Sequence, residues 1–166
     1  MSLPLMAQGE FALVRQHLTT ALERSPWPYR TPCGEHDLYA LMADAAAQQA
    51  DLAALRKYVL LAEQSAQRCD HKLYQAIAHR AWGVAHRLLE EFGESEMRLK
   101  QALTLFEEIG TRWQAGRTDY ELGELARARQ DHLAAREHYR RSLAAFEELR
   151  AAPDAARTRW MLATLT

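Results

Sequence analysis

Along residues 94–109 apolar side chains recur at steps of three and four: Leu99, Ala102, Leu103, Phe106 and Ile109. Forty residues later the same stripe returns as Tyr139, Ser142, Leu143, Phe146 and Leu149. Steps of three and four place side chains on one face of an α-helix. A return after 40 residues without an insertion predicts a structural repeat rather than a single long helix. Other columns keep the same register. Ala43, Gly83, Gly123 and Ala163 are all small, and each follows a bulky apolar residue: Met42, Trp82, Leu122 and Leu162. Val59, Leu99 and Tyr139 form another column, as do Leu55, Ser95 and Ala135, and Ala62, Ala102 and Ser142.

The pattern reads as antiparallel helix pairs. Small residues at a crossing let two backbones approach, and the bulky neighbours fill the space beside them. Chain breaks are expected at Ala50-Asp51, Phe92-Gly93, Gly110-Thr111, Gln130-Asp131 and Ala152-Pro153. Helices are therefore predicted at about 36–48, 52–68, 71–89, 94–109, 112–129, 132–149 and 154–166. An earlier one at about 10–24 is marked by Phe11, Val14, Leu18 and Leu22 on one face. Pro153 suits a first helical turn, where a missing N–H costs nothing. The predicted organisation is an N-terminal helix and Pro-rich loop over 1–34, then a repeat array over 35–166. Its units fall at about 35–74, 75–114 and 115–154, with a terminal helix over 154–166.

The stretch DYELGELARARQDHLAAREHYRRSLAAF resembles a tetratricopeptide repeat, with Leu122, Gly123, Ala135, Tyr139 and Ser142 at its signature positions. The unit containing Trp82, Gly83, Leu99 and Ala102 is similar, although Ser95 and Ser142 stand where that family usually has Ala. The resemblance covers about residues 36–166 and implies an all-α, right-handed α-solenoid of about eight helices. The 40-residue unit and the phrase FEEIGTRWQAGRT further resemble the repeat arrays of bacterial signal-transduction ATPase regulators of the maltose-activator type. In that family the array senses an inducer or a protein partner.

Composition narrows the function classes. There are 21 basic and 22 acidic residues and a formal charge of −1, so no global field attracts nucleic acid or an anionic membrane. No apolar run is long enough to span a bilayer, and the N-terminus lacks the cationic start of an export signal. Only two cysteines occur, Cys33 and Cys69, too few for a disulfide framework, which suggests reduced thiols and a cytoplasmic protein. No phosphate-binding Gly-x-x-x-x-Gly-Lys loop, nucleophile elbow or basic helix-turn-helix is present. His79 and His86 share a face but lie two turns apart. His36 follows Cys33 by three residues without a second ligand pair, and His132 and His138 flank a turn. These spacings do not build a zinc site. No cofactor, metal or catalytic group is predicted.

The family resemblance places the first helix of each pair on a concave surface. Opposite their small-residue crossings these helices carry Asp37, Ala40, Asp44 and Ala47, then Ile77, Arg80, Val84 and Arg87. Next come Arg117, Tyr120, Glu124 and Arg127, and finally Arg157, Trp160 and Thr164. The candidate ligand groove is thus Arg80, Val84, Arg87, Arg117, Tyr120, Glu124, Arg127, Arg157 and Trp160. Such a stripe can hold carboxylates bidentately with aromatic contact beside them. It can equally be a solvated face whose arginines pair with Asp119, Glu121 and Glu124. Two function classes follow: a protein- or peptide-binding scaffold, with an acidic partner, or an inducer receptor with a pocket inside the superhelix. Trp160, Met161, Leu162 and Leu165 make the last helix markedly apolar, which predicts self-association there, most simply as a homodimer.

Overall fold

The computed structural model describes residues 8–24 and 36–165. The Pro-rich loop expected before residue 35 lies outside the described residues. Among the described residues the chain is all-α, with eight long helices in sequence. They are α1 (Phe11–Arg24), α2 (His36–Gln48), α3 (Leu52–Arg68), α4 (Lys72–Leu88), α5 (Phe92–Glu108), α6 (Arg112–Ala128), α7 (His132–Glu148) and α8 (Ala152–Thr164). Each packs on the next, and α2 also lies against α4, as α4 does against α6. The first helices of the units therefore line one side of the array.

Six turns divide the array, and they come every 20 residues. Ala50, Asp70, Glu90, Gly110, Gln130 and Arg150 all adopt positive φ, between 45° and 69°. After each, the next amide bonds back five residues: Asp51 N–H to the Ala46 carbonyl, Glu91 to His86, Asp131 to Ala126. This closes the helix end in a left-handed cap and satisfies carbonyls that the helix leaves open. Two breaks differ from the sequence expectation. The turn expected at Phe92-Gly93 falls at Glu90–Glu91, and that expected at Ala152-Pro153 falls at Arg150–Ala151. Gly93 drew the first assignment away and sits inside α5, whereas Pro153 lies in the first turn of α8, as its missing N–H leads one to expect. Asp51 and Asp131 cap the following helices, each accepting the amide of the residue three on at 3.0 Å.

The predicted columns are the core. Leu55, Val59, Leu99, Ala102, Ala135 and Tyr139 are all fully buried or nearly so. Gly83 and Gly123 are helical crossing points. A methyl on Gly83 would come 2.5 Å from Leu99 Cγ, and one on Gly123 2.6 Å from Tyr139 Cε1. Ser95, which stands in place of Ala, spends its hydroxyl on the Gly83 carbonyl at 2.7 Å. The crossing of the second unit is thus tied by a hydrogen bond as well as by contact.

Cys69, at the C-terminus of α3, is disulfide-bonded. The thiol was expected to be free. Cys33 lies outside the described residues.

Candidate ligand-binding face

The first helices α2, α4, α6 and α8 carry the predicted stripe, and its charges meet one another across the face. Asp44 on α2 takes the Arg117 guanidinium of α6 in a two-pronged pair, at 2.6 Å and 3.0 Å. Arg80 of α4 closes on the same carboxylate at 3.5 Å, an ion pair without hydrogen-bond geometry. Its Nη1 instead donates to Gln114 Oε1 at 2.6 Å, and the guanidinium lies over the Phe106 ring. Arg87 donates to Glu121 at 3.0 Å. Arg157 stacks on Tyr120 with its carbon 4.2 Å from the ring centroid, and donates to the Tyr120 hydroxyl and to Gln48 Oε1. The small, acidic N-terminal end of the stripe is therefore folded onto its cationic middle.

Burial makes these pairs costly to break. Arg80 is 3% exposed, and Asp44 and Arg117 are also buried. Burial alone would raise the Asp44 carboxyl. Arg117 and then Arg80 outweigh it and hold the group below its ordinary value. Burial, with repulsion from Arg117, lowers Arg80 to about 10. For Arg117 burial pulls the same way, but Asp44 more than compensates and the group is raised. Burial pushes the Tyr120 phenol up to about 12 although Arg157 opposes it.

Hydrogen bonding is incomplete at the centre. Arg80, Arg87 and Arg117 lie among the carboxylates of Asp44, Glu121, Glu124 and Asp154, the last of which also accepts the Trp113 indole N–H at 3.0 Å. Two buried donors make no hydrogen bond: Arg87 Nε, and Arg80 Nη2, whose contact with Asp44 Oδ1 is the 3.5 Å ion pair. Unpaired buried donors of this kind are rare, and each costs free energy unless something supplies the missing partner.

Other predicted positions sort differently. Val84 is packed into the core with Ala43, Ala81 and Val59, so it lines no groove. It lies too far round α4, toward α2 and α3. Glu124 is spent locally on Arg127 at 2.9 Å and on the Tyr139 hydroxyl. Burial would raise that carboxyl, but those hydrogen bonds lower it. Tyr120 is buried against Tyr139 and Met161. Of the apolar positions on the last helix, Met161 and Leu165 are buried and Leu162 half-buried, while Trp160 is 65% exposed. Gln48 and Gln114 take part in the face and were not singled out by sequence. Their columns hold no repeated residue type, so only the contact reveals them.

Beside Tyr120 and Arg157 the face retains a cavity of about 10 Å³, bounded also by Gln48, Arg117, Glu121 and Thr158. That volume holds about one water molecule. No helix of the described residues is long and apolar enough to cross a membrane.

No protein-family model matches the chain, and no curated protein matches it. Among solved structures it is similar to the crystal structure of BtubC (BKLC) from P. vanneervenii. The TM-score is 0.69 at 17% identity, over 99% of this chain and 68% of that one. The likeness is one of fold. It places the chain with all-helical repeat proteins.

Proposed function

We propose that the chain is a protein- or peptide-binding scaffold of the tetratricopeptide type, serving as the interaction segment of a signalling regulator. The observation that carries this reading is the incomplete hydrogen bonding of the face formed by the first helices, where buried arginine donors on α4 make no hydrogen bond within the chain. An acidic segment crossing the face supplies acceptors to α4, α6 and α8 together, which is how extended ligands use a solenoid. A cavity with room for about one water gives no support to the inducer-pocket alternative, since small-molecule sites occupy about 300–1,000 Å³. The same reading gives the protein no catalytic role and no cofactor.

The test uses the accessible members of the stripe, because Arg80 is too buried to replace without disturbing the fold. Arg127 and Arg157 lie toward solvent. Proteins retained from native lysate by the wild-type chain should be acidic, should elute with salt, and should be lost with the Arg127→Glu/Arg157→Glu double variant. Equal retention by a double variant of unchanged helicity would remove the concave face as the binding surface.

A further inference from the structure

We propose that Asp44 is a built-in occupant of the concave ligand site, which an incoming acidic group must displace from Arg117 and Arg80. The inference rests on the binding reading above and adds its regulation.

Three observations carry it. First, Asp44 reaches across two units rather than pairing at home. One repeat column contains Asp44, Val84, Glu124 and Thr164. Glu124 finds its cation on its own helix, at Arg127. The position equivalent to Arg127 in the first unit is Ala47, so Asp44 has no such local partner and crosses 73 residues to Arg117. Second, the geometry is that of a bound carboxylate: both oxygens on one guanidinium, and a second guanidinium 3.5 Å away. A ligand carboxylate in this place would take the same donors. Third, the second guanidinium is held loosely, since Arg80 Nη2 is buried and its 3.5 Å contact with Asp44 Oδ1 makes no hydrogen bond. Asp44 fills the site without satisfying it.

The exchange conserves what matters energetically. One carboxylate replaces another on Arg117, so no buried cation is stripped of its partner. A neutral ligand offers no such exchange and would leave Arg117 and Arg80 uncompensated, so the contact also selects for anions. The Asp44 carboxyl is held below its ordinary range, burial notwithstanding, and therefore stays charged at neutral pH.

The test compares the full chain with its Asp44→Asn and Asp44→Ala variants, using a fluorescein-labelled hexaglutamate peptide as probe. Asp44→Asn should bind the peptide about tenfold more tightly than wild type, and the gain should vanish at high salt. Because loss of Asp44 can weaken the fold, a second measurement uses sodium acetate as a replacement carboxylate. Acetate should raise the melting temperature of Asp44→Ala more than chloride does at equal ionic strength, and should leave wild type unmoved. Equal or weaker peptide binding by Asp44→Asn, or an Asp44→Ala chain indifferent to acetate, overturns the proposal. If Arg127→Glu/Arg157→Glu still abolishes lysate capture in that case, the scaffold reading stands without Asp44 as its gate. If neither wild type nor Asp44→Asn binds the peptide, the gate falls and the lysate experiment alone decides the scaffold.

Discussion

Gly123 lies directly beneath the ring of Tyr139, so close that a methyl on its α-carbon would come within 2.6 Å of Cε1. Tyr139 cannot move aside easily. It is fully buried, and its hydroxyl donates to the buried Glu124 carboxylate. Gly123→Ala should therefore cost about 1–3 kcal/mol by overpacking. Gly83 faces the same geometry against Leu99, whose branched chain can rotate, so Gly83→Ala should cost less than Gly123→Ala. Urea unfolding of the two variants orders them. The reverse order would mean that the third crossing is looser than it looks.

Gly93 is the control. It lies in the first turn of α5, and nothing stands within 4 Å of where its methyl would be. Gly93→Ala should leave the protein unchanged or stabilise it by up to about 1 kcal/mol, because alanine restricts the unfolded chain. A loss of stability would show that the start of α5 is not helical in solution.

The turns give a prediction of opposite sign. Glu90 and Gln130 hold φ near 60°, a region that costs a residue with a side chain about 1–2 kcal/mol. Glu90→Gly and Gln130→Gly should each raise stability by about 1 kcal/mol, less the extra freedom glycine gives the unfolded chain. At Gly110, where φ is 69°, Gly110→Ala should lower it comparably. Melting temperatures of the three variants check this.

Those turns also show where the sequence could and could not be read. Core columns such as Val59, Leu99 and Tyr139 were legible because burial demands apolar residues at fixed spacing. The turns were legible at Ala50, Gly110 and Gln130 and missed at Glu90 and Arg150, because five of the six left-handed positions carry ordinary side chains and only Gly110 carries glycine. Gly93 and Pro153 drew the expected breaks away from Glu90 and Arg150, although the 20-residue rhythm already pointed there. The face of the first helices was half legible. Helical spacing put Asp44, Arg80 and Arg117 on one side of the array, but which charge reaches which depends on how successive units curve. No single-helix pattern encodes that Asp44 meets Arg117 two units away. Val84 went astray because a stripe drawn by spacing is wider than the strip of helix that stays out of the core.

Acid should expose the contribution of Asp44. Its carboxyl lies below the ordinary value of 3.8 because Arg117 and Arg80 outweigh the effect of burial. A depressed carboxylate adds stability that is fully present above the unfolded value. That stability is lost as pH falls through the lower folded one. Wild type should therefore lose stability below about pH 4, and Asp44→Asn should lack this part of the loss. At neutral pH Asp44→Asn should already be weaker by about 3–5 kcal/mol, since it leaves buried arginines uncompensated. Denaturant midpoints measured from neutral pH into the acid limb would show both effects. Parallel curves for the two proteins would mean that the carboxylate contributes nothing through its charge.

Trp160 raises the question of what covers the last helix. It belongs to the column of Ala40, Arg80 and Tyr120, and those three are 2%, 3% and 6% exposed. Each is covered by the unit that follows: Ala40 packs with Ala76 and Ile77, Arg80 bonds Gln114, and Tyr120 meets Arg157 and Met161. Trp160, in the same place on α8, is 65% exposed. Met161 and Leu165 are already buried, and Arg136 donates to the Leu165 carbonyl. They hold α8 to α7, so replacing them would test folding rather than association. Trp160 is the position to change. An indole left open where its equivalents are buried is a surface that a further helix or the same helix of a second chain, paired two-fold, would cover. Sedimentation velocity should show a weight-average coefficient that climbs with protein concentration, and Trp160→Glu should flatten that climb without altering the melting temperature. A wild-type chain that stays monomeric at the highest attainable concentration would rule out self-association through α8.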